Sequence, residues 1–282
     1  MVDGAIKKTS LFKETFVTLK ATASEWWPWM LVFGLFFGIL QVEFSWLSAR
    51  SPFMQFMHQH PELQGHPEVL KKNKELMQQY MTVVGASLPD FLGYMSLYVL
   101  GTLVLEAVAF YIMTVMQMRF AFPATTIEYS VRNFFYWFGK VLWKYIRPVL
   151  WVLLPIIGMF FYLRSTIHYT LVGPLAILRK GDELKTSWAM AEGNWWRIFG
   201  NEFAVILCLM LIVICVSLVP GVLVLAGGTE SKAAQIFMGI WQGAFVSLGV
   251  ITSTTYATVA YRVLLVENQS KMTPPTQEEV VL

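Results

Sequence analysis

The chain has 282 residues and a formal net charge of +3, and 56% of its residues are hydrophobic whereas only 14% are charged. Soluble domains carry about a quarter charged residues, so this composition excludes an ordinary water-soluble globular protein. Several apolar runs reach about 20 residues, the length that crosses a bilayer as a helix, and they predict an all-α polytopic membrane protein. Most cations lie at the ends of these runs, which favours contact with anionic lipid over nucleic acid.

Residues 1–26 are predicted to contain an amphipathic helix that lies along the membrane surface. Between residues 9 and 24, apolar side chains recur at helical spacing while the lysines lie off that stripe. The segment is too short and too polar to cross a bilayer, which is typical of an interfacial helix. The stripe consists of Phe12, Phe16, Leu19 and Ala23.

A single transmembrane bundle is predicted over residues 27–266, with a polar loop at 48–90 and a disordered tail at 267–282. Six spans are expected, at about 27–46, 91–118, 134–154, 158–178, 198–226 and 234–266. The alternative has five spans, because three cations recur along residues 130–147 and would suit a second surface helix. Lysine and arginine favour the cytoplasmic side. Six spans with a cytoplasmic N-terminus place twelve cations inside and five outside, whereas five spans give no asymmetry.

The stretch LKTSWAMAEGNWWRIFG, residues 184–200, predicts an elbow at the membrane surface before the fifth span. Asp182 can cap a short helix that Gly193 ends, and the next helix opens with two tryptophans and an arginine. Indole rings prefer the headgroup layer, and an arginine there attracts anionic headgroups. The expected elbow residues are Ser187, Trp188, Gly193, Trp195, Trp196 and Arg197.

This elbow resembles the Ser-Trp…Gly…Trp elbow of a bacterial family of six-helix membrane proteins. That family includes the YciC-like inner-membrane proteins and the membrane domain fused to some glycerophosphodiester phosphodiesterases. Four further residues follow the order of that family's Pro-Gly turn, arginine and proline: Pro155, Gly158, Arg164 and Pro174. Arg179 stands where the family has an acidic residue. The resemblance covers about residues 155–200 and implies a six-helix bundle in a bacterial inner membrane, with no assigned activity.

Five polar side chains fall inside the predicted spans. Glu106 lies near the middle of the second span, where a charge is costly and normally finds a partner. We expect it to pair with Lys144 or Arg147, and we expect Arg164 and His168 to share one face of the fourth span. A buried polar pair that fixes the register of the helices is the favoured interpretation; the alternatives are a proton or ion relay and a neutral, unpaired Glu106.

The polar loop contains three histidines beside two glutamates, residue types that ligate zinc or nickel: His58, His60, His66, Glu62 and Glu68. Their spacing is not that of a structural zinc site, and two prolines interrupt it, so neither a metal nor a cofactor is predicted. The sequence has no nucleophile elbow, P-loop or nucleotide-binding fingerprint. We therefore expect no catalytic residues and a non-enzymatic function.

These patterns predict a non-enzymatic, multi-pass membrane protein, and the resemblance implies a bacterial inner membrane and a role in envelope homeostasis. Its expected partners are anionic lipids, and a membrane protein or a second copy of the chain. Gly34 and Gly38 form a GxxxG pattern that permits close helix packing, either within the bundle or between copies. The alternative function is a small transporter or channel whose polar path passes Glu106, Arg164 and His168.

Overall fold

The computed structural model describes residues 10–63, 73–149, 157–178, 181–227 and 232–272, and these residues form helices without any strand. The predicted all-α fold is confirmed. The helices are α1 (Leu11–Ala21), α2 (Ala23–Ala49), α3 (Pro52–Gln59), α4 (Lys74–Ala121), α5 (Val131–Val149), α6 (Ile157–His168), α7 (Val172–Leu178), α8 (Glu183–Ala191), α9 (Trp195–Gly227) and α10 (Lys232–Met272). A 3-10 turn at Pro61–Leu63 follows α3. The predicted tail overlaps the end of α10, and its residues 273–282 lie outside the described part of the chain.

Four helices among the described residues are long and apolar enough to cross a membrane. At about 1.5 Å of rise per residue, each exceeds the roughly 30 Å of a bilayer's hydrocarbon core. They correspond to the first, second, fifth and sixth expected spans. Their bounds are Ala23–Ala49, Lys74–Ala121, Trp195–Ser217 and Ile236–Asn268.

The expected third and fourth spans are not confirmed. The 19-residue helix α5 carries four cations, Arg132, Lys140, Lys144 and Arg147, and is not apolar enough to count as a span. Helices α6 and α7 have 12 and 7 residues, about 18 and 10 Å, and a turn at residues 169–171 separates them. Neither reaches across a hydrocarbon core of about 30 Å. Residues 150–156, between α5 and α6, lie outside the described part of the chain.

The chain divides into two compact units. Unit 1 comprises Met1–Met30, Ala107–Val219 and Ser247–Leu282, and unit 2 comprises Leu31–Glu106 and Pro220–Val246. Helices α2, α4, α9 and α10 each contribute residues to both units. The main core of unit 1 is built from large side chains with almost no exposed surface, including Leu11, Met118, Trp137, Leu171, Ile198 and Leu264.

Helix α1 packs into the core of unit 1 by a face other than the predicted stripe. The predicted stripe is only half-buried, and Phe12 and Phe16 pack against the edge of the core. The hydroxyl of Thr15 donates to the carbonyl of Leu11 at 2.7 Å, so this threonine is buried without an unpaired polar atom. The backbone N–H of Phe12 donates to Oδ1 of Asn201 in α9 at 2.9 Å. The fully buried positions are Leu11, Thr15, Thr18 and Thr22.

Unit 2 contains a close crossing of α2 and α10. A Cβ atom added to Gly38 would lie 2.7 Å from the backbone N and Cα atoms of Ile240, and one added to Gly34 would lie 3.1 Å from the Cα of Ala244. Gly243 meets α2 in the same way, since an added Cβ would lie 2.9 Å from the Cβ of Phe37. The GxxxG pattern therefore makes a helix contact within one chain, where the glycines let the two backbones touch.

Candidate functional site

The elbow is a tight turn between α8 and α9 in unit 1. Helix α8 closes where the N–H of Glu192 donates to the carbonyl of Trp188 at 3.0 Å. Gly193 then adopts a φ of +78°, in the left-handed region that favours glycine. Helix α9 begins as the N–H of Ile198 donates to the carbonyl of Asn194 at 2.9 Å. Asp182 immediately precedes α8, although its side chain makes no capping hydrogen bond.

Four of the expected site residues form one cluster that joins α6 to α8. The imidazole of His168 stacks on the indole of Trp188 with the ring centroids 4.1 Å apart, and the guanidinium of Arg164 lies 5.9 Å from that indole. His168 Nδ1 lies 2.8 Å from the carbonyl oxygen of Arg164; a carbonyl only accepts, so Nδ1 is the donor. The hydroxyl of Ser187 donates to the carbonyl of His168 at 2.6 Å.

An open recess of about 720 Å³ lies beside this cluster. Its rim carries two cations, Arg147 and Lys185, and two carboxylates, Asp182 and Glu192, so the charges of the rim balance. Arg147 Nη1 donates to the hydroxyl of Tyr169 at 3.4 Å. The recess is lined by Arg147, Tyr169, Asp182, Leu184, Lys185, Trp188, Ala189 and Glu192.

A second recess of about 260 Å³ lies at the start of α9, and Glu192 lines both recesses. The indole N–H of Trp195 is buried and has no acceptor among the described residues. An unpaired buried donor costs about 1–3 kcal/mol, which an acceptor from outside the chain would relieve. Trp196 packs on Trp195 with the ring centroids 4.2 Å apart and is 74% exposed. The lining consists of Arg164, His168, Glu192, Gly193, Trp195 and Trp196.

A buried carboxylate at the start of α8 holds α5 in place. It was not among the residues that the sequence pattern predicts for the site. Glu183 is fully buried, its Oε2 lies 2.8 Å from Nζ of Lys140, and its Oε1 accepts a short hydrogen bond from the hydroxyl of Tyr136. Burial alone would raise the pKa of Glu183, but the hydrogen bonds from Lys140 and Tyr136 outweigh it and lower the pKa. The hydrogen bond to Glu183 raises the pKa of Lys140, so both groups stay charged near neutral pH.

Lys144 has a partner that the sequence pattern did not indicate. Lys144 lies close enough to Glu202 of α9 to interact electrostatically with its carboxylate. Glu202 is a single carboxylate within an apolar run, which is the pattern that also makes Glu106 a candidate site residue. The ion pairs found among the described residues do not include Glu106, which also lines neither recess. Its expected pairing with Lys144 or Arg147 stays a prediction.

Arg197 was expected to face lipid headgroups, but it forms an ion pair within the chain. Its Nη1 lies 2.7 Å from Oε2 of Glu267 in α10, and the two side chains are only 13% and 17% exposed. The partner comes 70 positions later in the chain, beyond the reach of any local pattern. Among the tryptophans of the elbow, Trp196 is the one most exposed to the surroundings.

The histidine-rich loop provides no recognisable metal centre in the part of the chain that the structure describes. Within those residues, no three histidine, cysteine, aspartate or glutamate side chains come together as metal ligands would. His58 lies in α3 and His60 directly follows it, whereas His66 and Glu68 fall outside the described ranges.

No family model matches the chain, and no curated protein or solved structure is significantly similar to it. The resemblance to the six-helix membrane family therefore stays a prediction. Of the residues that carry it, Gly158 and Arg164 lie in α6 and Pro174 in α7, and Pro155 falls outside the described residues. What the elbow does has to be inferred from its own geometry.

Proposed function

We propose that this protein is a non-enzymatic, multi-pass membrane protein whose elbow binds phosphate-bearing lipid headgroups, with a preference for anionic lipid. The observation that carries the proposal is the pair of recesses that share Glu192, where guanidinium and ammonium groups lie beside indole rings. Cations bind phosphate oxygens through charge-assisted hydrogen bonds, and indoles partition into the headgroup layer. The unpaired N–H of Trp195 supplies a further donor for a phosphate or carbonyl oxygen.

The distribution of charge supports a topology of four spans with both ends of the chain in the cytoplasm. Only five of the 21 lysines and arginines belong to unit 2, namely Arg50, Lys71, Lys72, Lys74 and Lys232. Four spans, α2, α4, α9 and α10, would place these five outside and the other sixteen inside. This asymmetry is larger than the twelve against five that six spans give, and it obeys the preference of cations for the cytoplasmic side.

In this topology, helices α5, α6, α7 and α8 lie on the cytoplasmic face and α5 is an interfacial helix. Its apolar side chains Phe135, Trp143 and Ile146 are exposed, and Lys140 is tied to Glu183. The two recesses then lie at the level of the inner headgroups, where anionic lipids create a negative surface potential. The bacterial inner membrane is the setting that the resemblance implies.

The preference for anionic lipid comes from unit 1 as a whole rather than from the large recess. The rim of that recess is balanced, but unit 1 has sixteen cations against eleven carboxylates, whereas unit 2 has five against seven. A net positive region next to a membrane attracts anionic headgroups at a range of about 8–10 Å in physiological salt. The positive charge of unit 1 would raise the local concentration of anionic lipid, and each recess would then hold an individual headgroup.

The test is to release the protein from nanodiscs of mixed phosphatidylglycerol, phosphatidylethanolamine and phosphatidylcholine, and to count retained lipids by native mass spectrometry. We expect retention of phosphatidylglycerol over phosphatidylcholine. The double variant Arg164→Gln/Lys185→Gln should reduce that retention at least tenfold, because the loss of one charge-assisted contact already costs roughly 1.4 kcal/mol. The matched control is Lys74→Gln, which removes an exposed cation of unit 2 that lines neither recess. Equal retention of the lipid classes, or an equal effect of the control, would overturn the proposal.

A further inference from the structure

A second, separate site is present in unit 2, where a small group of helical segments forms its own core. Phe56 in α3, Leu63 in the 3-10 turn and Leu76 in α4 are buried against one another. Ser51 caps α3 by accepting the N–H of Met54 at 3.3 Å, and Asn73 accepts the N–H of Leu76 at 3.1 Å. These caps stabilise the starts of α3 and α4.

A cavity of about 250 Å³ lies between the end of α2, α3 and α4. An apolar protein cavity of about 150 Å³ is enough to bind benzene, so this one has room for a longer aliphatic segment. Its walls are aromatic and aliphatic apart from three serine hydroxyls and one phenol, and they contain no charged side chain. The lining residues are Ser48, Ser51, Phe53, Met54, Tyr80, Val84, Ser87, Leu88 and Phe91.

The hydroxyl of Ser87 is the polar group that distinguishes this cavity. Ser87 is 2% exposed, and its Oγ has no hydrogen-bond partner among the described residues. A helical hydroxyl usually donates to the carbonyl four residues earlier. Thr82 does so on the same helix, donating to Gln78 at 2.9 Å. An unpaired buried hydroxyl is rare in folded proteins and requires a reason, such as a ligand that supplies the partner.

The surroundings define the chemistry of that ligand. The apolar walls require an aliphatic body, and the Ser87 hydroxyl requires one acceptor oxygen inside the cavity. A carboxylate is excluded as the buried acceptor, because none of the lining side chains carries the positive charge that would balance it. Trp46 and Arg50, whose guanidinium lies 3.4 Å above the indole, flank Ser48 in the chain and are typical of the headgroup level.

We propose that this cavity binds one acyl chain of a membrane lipid, with the ester carbonyl of that chain accepting a hydrogen bond from the hydroxyl of Ser87. The headgroup of the lipid remains at the level of Trp46 and Arg50. The site belongs to unit 2 and does not depend on the headgroup recesses of unit 1.

The experiment uses the full chain in nanodiscs that contain phosphatidylcholine with a photoreactive diazirine on one acyl chain. After irradiation, adducts are located by peptide mass spectrometry. We expect them to concentrate on the cavity walls, at Phe53, Tyr80 and Val84. Val84→Trp fills the cavity and should reduce these adducts at least tenfold. The matched control is Leu92→Trp, which adds the same side chain at a 54% exposed position of α4 outside the lining.

The hydrogen bond is tested with an ether-linked analogue of the same lipid, which lacks the carbonyl oxygen. In the natural protein the ester lipid should label the cavity several-fold more than the ether lipid. Ser87→Ala should abolish that difference, and this small substitution keeps the test valid if Val84→Trp does not fold. Excess free fatty acid should not compete. Uniform labelling of the exposed helix surfaces, labelling insensitive to Val84→Trp, or equal labelling by ester and ether lipids would each overturn the proposal.

Discussion

The two units of this protein hold their helices together by different means. Unit 1 contains all three ion pairs found among the described residues, and its core buries threonine, tyrosine and tryptophan side chains. Unit 2 instead relies on the contact of glycine backbones between α2 and α10. In lipid there is little hydrophobic drive between helices, so close packing must supply the attraction. Unit 1 therefore depends on specific polar partners, and unit 2 depends on the shape of its helices.

The substitution with the largest expected effect tests the role of shape in unit 2. Gly38→Leu should destabilise the protein by roughly 3 kcal/mol or more and reduce the folded yield. The reason is that even a Cβ atom at this position would lie 2.7 Å from the backbone of Ile240. Unfolding in detergent, followed by circular dichroism, measures the change. The matched control is Gly93→Leu on α4, where an added Cβ meets nothing within 4 Å. A loss at Gly93 equal to that at Gly38 would show that packing of glycine is not what holds unit 2 together.

The next effect tests the polar partners of unit 1. Lys140→Met leaves the fully buried carboxylate of Glu183 with only the hydroxyl of Tyr136 as a side-chain partner. We expect a loss of about 2 kcal/mol in the free energy of unfolding, less than for a wholly buried pair because Lys140 is 35% exposed. Arg132→Gln, on an exposed position of the same helix, serves as the control and should change stability by less than about 0.5 kcal/mol. A variant as stable as the natural protein would mean that the pair is incidental.

The smallest expected effect is a change in the pH dependence of stability. The pKa of Glu183 is lowered in the folded protein, so its contribution is present above the unfolded value of about 4.3 and is lost as the pH falls through the folded pKa. In the Lys140→Met variant the hydrogen bond from Lys140 is lost, so the effect of burial prevails and raises the pKa of Glu183 above about 4.3. The variant should then become more stable as the pH falls from 7 towards 5, by about 1 kcal/mol. Unfolding midpoints measured from pH 7 to pH 5 should show the difference in stability between the natural protein and Lys140→Met becoming smaller. A difference that stays constant with pH would contradict the proposed role of Glu183.

The sequence predicts the helical fold and the four longest spans because long apolar runs have one stable conformation in a bilayer. It also places the elbow turn, since the positions of Asp182 and Gly193 follow from local rules for helix ends. The third and fourth expected spans are not confirmed, and there is a physical reason why composition alone could not decide them. An apolar side chain of α5 or α6 can be surrounded by protein, by headgroups or by lipid tails, and composition does not distinguish these environments.

The polar contacts of the elbow could be predicted only in part. Arg164, His168 and Trp188 were expected to matter, but their mutual stacking depends on how α6 meets α8. Tyr136, a partner of Glu183, lies 47 positions away along the chain, and Glu267, the partner of Arg197, lies 70 positions away. Helical periodicity relates only residues a few positions apart, so it could not predict either contact. Glu202 is the residue that closer attention to the sequence would have found, as a single carboxylate within the apolar run of α9.

The turn at Gly193 makes the elbow depend on the handedness of one residue. Its φ of +78° is costly for an L-amino acid, yet an added Cβ would meet no atom within 4 Å, so the space around it is empty. The constraint is therefore stereochemical rather than one of volume. A semisynthetic chain with D-alanine at position 193 should keep the angle between α8 and α9. L-Alanine at the same position should strain the backbone of the turn.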